Sequence, residues 1–396
     1  MTWKVTNVQE ERLKFIAAWK TGGSSMTDLC NEFGISRKTG YKYLERYEAE
    51  GLDGLKDRSH AAHHQPNKTR ALITELIIEE RRKHPSWGPV TLLARLAGRY
   101  PRVKNWPAVS TVGEILKREG LIQSRRKRRK VPVKLHPLSH AEEPNDLWCI
   151  DFKGHFTVAN GRRCDPLTIS DAVSRYLLAC QTVQKTDSKN VQKVFERVFR
   201  EFGIPIAIRS DNGAPFASRG LAGLTRLAVW LLKLGIDLER IEPGKPYQNG
   251  RHERMHLTLK QHTALPPRSS LKAQQKAFDD FRKEYNEVRP HHALDLKTPA
   301  KIHRRSNHEF PQKILPVEYY THLEVQKVSD DGSIRYGTHR VFLAPSLRGE
   351  NIALEEISER HRRIRFARAA IGVLDVYTGK LLAYKNPLTI INEDQV

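Results

Sequence analysis

Three acidic residues stand in settings that favour chemistry on phosphates. Asp151 lies inside the apolar run L-W-C-I-D-F, Asp211 ends the run I-P-I-A-I-R-S-D, and Glu253 follows the loop P-G-K-P-Y-Q-N-G. A buried carboxylate is costly unless it is paired or bound to a cation. Three carboxylates on separate elements can hold two Mg²⁺ ions about 3.5–4 Å apart on a phosphodiester, and Mn²⁺ is a possible substitute. The sequence therefore predicts a two-metal site made by Asp151, Asp211 and Glu253.

The elements that carry these acids form an α/β pattern. From Asn145 onward short apolar runs alternate with turns, of which Asn160-Gly161 is the strongest hairpin signal. Asp187 or Ser188 is placed to cap an amphipathic helix that Gly203 ends. A strand up to Asp211, a helix over 221–234 and the strand I-D-L-E-R-I complete the predicted module.

Glu253 is expected near the start of a helix. Because an α-helix repeats every 3.6 residues, Leu257 and Lys260 share the face of Glu253. We expect Leu257 to pack in the core and Lys260 to reach the DNA backbone beside the metals. Five residues around this helix start are predicted to contact DNA: Gln248, Asn249, Arg251, Arg254 and Lys260. Turn formation would also explain Gln248 and Asn249, and the two arginines can equally be solvated.

Other polar residues near the acids are given structural roles. Asp171, in S-D-A-V-S-R, is expected to be a turn acid. His155 and His252 are expected to pack or to be solvated and not to bind metal. His291, in R-P-H-H, is expected to cap the last core helix, with phosphate contact as the alternative.

The first 48 residues carry the pattern of a helix-turn-helix. Thr27 is expected to cap a short helix, Gly34 to allow the turn, and Ser36 to cap the following helix. That second helix would present its polar face to a DNA major groove. The predicted contact residues are Arg37, Lys38, Tyr41 and Lys42. The alternative is a plain helical hairpin with a solvated basic face.

A second helical block follows, and its last helix is expected to be capped by Ser110 or Thr111. It is either a second DNA-binding unit or a packing module, and DNA contact is favoured. After it comes a run of like charges that repel one another unless phosphates neutralise them. These residues are predicted to contact the DNA backbone: Arg125, Arg126, Lys127, Arg128, Arg129 and Lys130.

The bulk composition points to a polyanionic partner. The 396 residues include 68 Lys plus Arg against 45 Asp plus Glu, a formal net charge of +23. No apolar run is long enough to span a membrane and the N-terminus lacks a secretory signal. The four cysteines form no C-x-x-C pair and are expected to be reduced and buried. We therefore expect a cytoplasmic protein with a nucleic-acid partner and without a membrane partner.

Four motifs occur in order: W-C-I-D-F-K, S-D-N-G-A-P-F, P-G-K-P-Y-Q-N-G-R-H-E-R-M-H-L-T-L-K and Y-N-E-V-R-P-H-H-A-L-D-L-K-T-P-A. Over residues 145–303 they closely resemble bacterial insertion-sequence DDE transposases, whose core is similar to retroviral integrase. The resemblance implies an RNase H-like fold, a catalytic triad of Asp151, Asp211 and Glu253, and Mg²⁺-dependent cleavage of a mobile element's ends. It also implies strand transfer by the freed 3′-hydroxyl, with double-stranded end and target DNA as partners and a homo-oligomer on DNA.

Two departures from the integrase pattern matter. The His/His/Cys/Cys zinc module is missing, and the spacing from Asp211 to Glu253 is wider than in integrases. Glu239 and Glu242 are the alternatives to Glu253, but neither starts a helix with N-G-R-x-E-R. Two other functions remain open: a catalytically silent DNA-binding regulator on the same fold, and an RNase H-like nuclease.

The sequence thus predicts a multidomain chain of helical, α/β and β-rich parts. The β-rich end, with turns at D-D-G and T-G-K, is expected to fold as a small barrel-like domain. The predicted order is a helix-turn-helix domain (1–54), a linker (55–68), a second helical domain (69–123), a basic linker (124–143), an RNase H-like core (144–305) and the β-rich domain (310–396).

Overall fold

The computed structural model describes residues 7–58, 68–122, 141–152, 154–183, 185–242, 246–382 and 388–390. The chain divides into two compact units, Met1–Lys68 and Thr69–Val396. Among the described helices, none combines the length and apolarity needed to cross a bilayer.

The first unit contains a helix-turn-helix. Its helices are α1 (Val8–Thr21), α2 (Met26–Glu32) and α3 (Arg37–Glu50). The turn between α2 and α3 uses Gly34 at a φ of 64°, as expected, and Ser36 caps α3 by accepting from the Thr39 amide at 3.2 Å. The predicted cap of α2 was wrong. Ser25 accepts from the Asp28 amide, so the helix begins before Thr27.

The close approach of α2 and α3 depends on one glycine. A Cβ at Gly40 would lie 2.7 Å from the Cys30 sulfur and 3.0 Å from the Phe15 ring. Gly40 therefore lets α3 pack directly on the small core that Phe15, Ile16, Leu29 and Cys30 form. The exposed side of α3 is left to solvent.

The second unit begins with three helices around their own apolar core: α4 (Ala71–Lys83), α5 (Pro89–Arg99) and α6 (Val109–Arg118). Ile77, Trp87, Leu92 and Leu116 are fully or almost fully buried there. The predicted side-chain cap of α6 was wrong, because the helix starts after Ala108 without one.

A mixed six-stranded sheet forms the centre of the second unit. Its strands are β1 (Leu147–Phe152), β2 (Phe156–Thr157), β3 (Arg163–Asp171), β4 (Leu177–Val183), β5 (Ala207–Ser210) and β6 (Asp237–Arg240). β1 pairs antiparallel with β3 and parallel with β5, and β5 pairs parallel with β6. β3 also pairs antiparallel with β4. β1 is therefore central, between an antiparallel half and a parallel half.

Four helices cover the two faces of this sheet: α7 (Ser188–Phe202), α8 (Arg226–Lys233), α9 (Gly250–Thr263) and α10 (Leu271–Lys283). α7 begins at the predicted cap Asp187, ends at Gly203, and packs Phe195 and Phe199 against Trp148 and its neighbours. α9 and α10 form a second core on the antiparallel half, with Met255, Leu259, Phe278 and Phe281.

The three-helix block is attached to this core through the turn after α4. The His84 ring lies 2.9 Å from a Glu284 carboxylate oxygen, and the Ser86 hydroxyl lies 2.5 Å from His262 Nε2. His84 also stacks on Trp87 at 3.9 Å between ring centroids. The block thus has a packing role, whereas its contact with DNA stays a prediction.

The C-terminal part is β-rich, as predicted. Its strands are β7 (Glu324–Lys327), β8 (Ser333–Tyr336), β9 (His339–Phe342), β10 (Asn351–Glu356), β11 (His361–Phe366), β12 (Ala369–Asp375), β13 (Lys380–Leu382) and β14 (Thr389–Ile390). They form a sheet in the order β13-β12-β11-β10-β7, with β14 on β12, and a separate β8–β9 hairpin.

The expectation of a barrel-like domain is not met, because the strands do not close into a barrel within the described residues. The physical reason lies in α8. Ala228, Val229 and Leu232 join one apolar core with Ile364 and Phe366 of the C-terminal sheet. A helix of the central module covers this sheet face, so closure is not required to bury it.

Candidate active site

Two of the predicted acids lie near the carboxyl ends of the parallel strands β1 and β5. Leu147 pairs with Ala207 and Cys149 with Arg209, so partners differ by 60 in number. Asp211 follows β5 directly, and the same offset extended by two residues would set it opposite Asp151. Neighbouring strands lie about 4.8 Å apart, and side chains at one register position point to the same face. The register therefore favours a close approach of two carboxylates that lie far apart in sequence.

Asp211 is oriented by the turn that follows β5. The Gly213 amide donates to its Oδ1 at 3.2 Å. A Cβ at Gly213 would lie 3.0 Å from the other carboxylate oxygen, so the glycine leaves room for Asp211. Asn212 donates from its side chain to the Ile241 carbonyl at 2.5 Å and ties the turn to the segment after β6.

The two alternatives to Glu253 are held in structural contacts. Glu239 pairs with Arg209 at 2.9 Å on the neighbouring strand. Glu242 accepts from the Gln248 amide at 2.9 Å, and its own backbone N–H donates back to Gln248 at 2.7 Å. These contacts favour Glu253, whose assignment stays a prediction.

Glu253 lies in the first turn of α9 and its side chain is exposed. Arg254 and Lys260 are exposed as well. The expectation that Leu257 packs in the core was wrong, because its side chain is 52% exposed. Met255 and Leu259 supply the buried apolar face instead. Glu253, Leu257 and Lys260 therefore form one open stripe on α9, available to a partner.

The buried side of α9 carries two histidines that contact the sheet. His252 Nε2 lies 2.7 Å and His256 Nε2 2.6 Å from the Thr168 hydroxyl on β3. His252 Nδ1 is 2.8 Å from the Ser170 hydroxyl, and His256 Nδ1 is 3.8 Å from Asp151 Oδ2. Burial lowers the pKa of His252 to about 3, so this ring is neutral. The packing role expected of His252 agrees with these contacts.

His256 and Thr168 were missed from the sequence. The signal available was H-x-x-x-H, which puts two histidines on one helix face around Glu253. Only the fold reveals that this face meets a threonine and a serine on β3. Asp151 on β1 and Thr168 on β3 are register partners. The two histidines that contact Thr168 therefore lie close to Asp151.

The other structural assignments agree with the contacts. Asp171 is buried and accepts from the Asn145 amide at 2.7 Å and the Ser174 amide at 2.6 Å. His155 is exposed. His291 Nε2 lies 3.2 Å from the Tyr285 carbonyl in the turn that ends α10, as a cap would.

The predicted DNA-contact residues fall into three groups: exposed residues, buried residues and residues whose side chains the structure does not describe. Arg37, Lys38, Tyr41 and Lys42 are all exposed on α3. Gln248 and Asn249 are only 7% and 6% exposed, which fits the turn-forming role held open for them. Two groups lie outside the described residues: the side chain of Arg251, and the run Arg125, Arg126, Lys127, Arg128, Arg129 and Lys130.

The donor set at the site suits a hard cation. Carboxylate oxygens are the ligands that Mg²⁺ and Mn²⁺ prefer, and the register of β1 and β5, extended by two residues, sets Asp151 opposite Asp211. Within the described ranges, no three His, Cys, Asp or Glu side chains converge closely enough to hold one ion. The two aspartates therefore fit a divalent ion, with Glu253 as the third carboxylate to be brought in.

Comparison with known proteins agrees with this arrangement. Integrase core domain models match residues 141–246 and 234–299. A helix-turn-helix domain model matches residues 11–63, and a homeodomain-like domain model matches 39–116. The chain is 30% identical over 182 residues to the insertion element IS407 uncharacterized 31.7 kDa protein of Burkholderia multivorans, covering 46% of this chain and 63% of that protein. It is 27% identical over 249 residues to the insertion element IS476 uncharacterized 39.2 kDa protein of Xanthomonas euvesicatoria, covering 61% and 68%.

The chain is thus similar to bacterial insertion-element proteins, and it carries matches to an integrase core domain and to a helix-turn-helix domain. It spans 63% of the length of the Burkholderia relative. Among solved structures, the HTLV-2 integrase catalytic core domain in complex with magnesium is 18% identical, with a TM-score of 0.34 over 42% of this chain and all of that one. The mixed sheet and the N-terminal helix-turn-helix confirm the predicted α/β core and the predicted helix-turn-helix domain.

Proposed function

We propose that this chain is a DNA transposase that binds the terminal inverted repeats of a mobile element, cleaves its ends and joins them to target DNA. The proposal is supported by the parallel pairing of β1 with β5, whose register extended by two residues sets Asp151 opposite Asp211, and by the placement of Glu253 in the first turn of α9. A DNA-binding regulator has no need of carboxylates arranged in this way. A nuclease, in turn, has no need of the helix-turn-helix that precedes the core.

Asp151, Asp211 and Glu253 would hold two Mg²⁺ ions. When bound, such ions activate the attacking oxygen and stabilise the charge of the leaving oxygen. Lys260 and Arg254, exposed on the Glu253 side of α9, would contact the phosphate backbone and fix the DNA end against the acids. The protein thus orients and neutralises the substrate, and no side chain of it becomes covalently bonded.

The proposed reaction is two successive displacements at phosphorus. In the first, water attacks the phosphodiester at the element's end, and the P–O3′ bond breaks to leave a free 3′-hydroxyl. In the second, that 3′-oxygen loses its proton and attacks a target phosphodiester, whose own 3′-oxygen leaves and takes up a proton. Two ends must be joined in concert, so we propose a homo-oligomer on DNA that works in the bacterial nucleoid.

Asp211→Asn tests the site. The change keeps the size of the side chain and removes the charge that holds a cation, so Mg²⁺-dependent nicking and joining of terminal-repeat DNA should fall below detection. Gel-shift binding to the same DNA should stay within about twofold, because α3 is untouched. Asp330→Asn, the same change at an exposed acid of the C-terminal part, is the matched control and should keep full activity. Strand transfer by Asp211→Asn at the wild-type rate would refute the assignment.

A further inference from the structure

Four side chains next to Asp151 form a closed hydrogen-bond group that the proposed reaction does not use directly. They are Thr168 and Ser170 on β3 and His252 and His256 on α9. Thr168 is fully buried, and each of the other three is at most 8% exposed. The group lies between the central sheet and the helix that carries Glu253.

The Thr168 hydroxyl is the centre of the group. It donates to the Asp151 carbonyl at 3.0 Å and lies 2.7 and 2.6 Å from the two histidine Nε2 atoms. A hydroxyl has one hydrogen and two lone pairs, and a carbonyl can only accept. All three contacts are satisfied when the hydrogen goes to Asp151 and both Nε2–H groups donate to Thr168. His252 Nδ1 then accepts from the Ser170 hydroxyl, so no polar atom of this ring is left without a partner.

The hydrogen bonds of this group add a directional constraint to the rotation of α9, which Met255 and Leu259 also anchor by apolar packing. His252 and His256 are four residues apart, and both make hydrogen bonds to β3. Rotating or sliding α9 would therefore break the hydrogen bonds of both histidines together. Glu253 follows His252 directly and precedes His256 by three residues. It therefore lies at the edge of the helix face that contacts β3. Its own side chain is exposed. The direction of Glu253 therefore depends on its two histidine neighbours, together with the packing of Met255 and Leu259.

The same group also contacts Asp151. Its carbonyl accepts from the Thr168 hydroxyl at 3.0 Å, and the His256 ring lies beside its carboxylate, with Nδ1 3.8 Å from Oδ2. We infer that Thr168, Ser170, His252 and His256 are positioning residues that fix Asp151 and Glu253 relative to each other for phosphoryl transfer. The inference rests on the proposed function for its chemistry and on the hydrogen bonds for its geometry.

Thr168→Val is the decisive variant because valine keeps the shape of threonine and removes only the central hydroxyl. A small misplacement of reacting groups can cost about 100-fold in rate. We expect kcat for strand transfer, measured well below the Tm, to fall roughly 10- to 100-fold while KM for terminal DNA stays near wild type. The Tm should also fall, because buried partners of the hydroxyl lose their hydrogen bonds. Thr168→Ser, which keeps the hydroxyl, should restore kcat to within a few-fold. Thr258→Val, the same change on α9 at a threonine bonded to its own helix, should have no effect.

A readout without DNA separates this inference from the proposed function. Mn²⁺ binding, followed by electron paramagnetic resonance on the full chain, should weaken about tenfold in Thr168→Val and recover in Thr168→Ser. Full kcat in Thr168→Val would overturn the inference, as would equal losses in Tm and activity that serine does not rescue. If the wild-type protein neither nicks nor joins terminal DNA, the proposed function fails. The positioning role is then overturned if Mn²⁺ affinity is equal in wild type and Thr168→Val.

Discussion

At the scale of single residues, buried histidines make this protein sensitive to acid. Burial lowers the pKa of His252 to about 3 and that of His291 to about 4, and it also lowers the pKa of His303. The His291 ring packs edge-on against Tyr285 at 4.5 Å and caps its carbonyl. These rings are neutral parts of the packing, and each must take up a proton once the chain unfolds in acid.

His291→Asn tests this effect. The unfolded histidine has a pKa near 6.5, so between about pH 6.5 and 4 the unfolded state binds one more proton than the folded state. Above pH 6.5 this histidine does not lower the free energy of unfolding. As the pH is lowered from 6.5 to 4, the free energy of unfolding decreases by at most about 1.4 kcal/mol per pH unit because of this group. Asparagine does not titrate, so urea unfolding should show a shallower dependence on pH.

The comparison at pH 8, where the histidine is neutral in both states, isolates the loss of packing. Parallel curves of unfolding free energy for wild type and His291→Asn from pH 4.5 to 7 would contradict the predicted role.

At the scale of elements, α10 and its terminal turn protect an edge strand. β4 pairs with β3 on one side only, and its other edge faces α10. Asn286 accepts from the Leu177 amide at 2.8 Å and donates to its carbonyl at 3.0 Å. Gln275 does the same for the Thr182 amide at 2.8 Å and the Cys180 carbonyl at 3.0 Å. Side-chain amides thus take the place of a further strand and close an edge that would otherwise invite strand addition.

Asn286→Ala should destabilise the second unit. The buried Leu177 N–H and carbonyl would lose their partner, at a cost of about 1–3 kcal/mol for each unsatisfied group. Thermal unfolding should show a lower Tm, and the variant should aggregate faster near that temperature. Lys272→Ala, at an exposed position of α10, is the control and should match wild type. An unchanged Tm for Asn286→Ala would mean that the edge is satisfied in another way.

At the scale of the whole molecule, the proposed function predicts that the net charge of +23 serves both the choice of DNA sequence and the affinity for DNA. The exposed residues of α3 suit base contacts, whereas the run Arg125–Lys130 suits phosphates. Counterion release makes log affinity fall with log salt by about 0.9 per phosphate neutralised. The two regions should therefore be separable in one binding experiment.

Replacing Arg125–Lys130 with glutamine should reduce the salt slope by up to about 5 and weaken binding to all DNA alike. The ratio of affinities for terminal-repeat and random DNA should remain. Replacing Arg37 and Lys42 with alanine should lower the ratio of affinities for terminal-repeat and random DNA. The slope of log affinity against log salt should change by no more than about 2. Fluorescence anisotropy at several salt concentrations measures both quantities. A glutamine variant that keeps the full slope would place the phosphate contacts elsewhere.

Part of this protein could be predicted from its sequence because the signals are local. The α7 cap at Asp187, the turns at Gly34 and after Asp211, and the exposed face of α3 follow from residue type and helical period. The acids Asp151, Asp211 and Glu253 could be named because each stands in an unusual local setting. Strand type and helix amphipathicity likewise predicted a mixed α/β core.

Tertiary structure decided what depends on contacts between distant segments. Leu257 is exposed and His256 buried because the rotation of α9 is set by β3, which lies about 85 residues earlier in the chain. The C-terminal strands stay an open sheet because α8 of the core covers their apolar face. The sequence by itself determined which residue types are present for chemistry. Only the fold determined which of them meet, because strand register and helix rotation are fixed by packing across the whole unit.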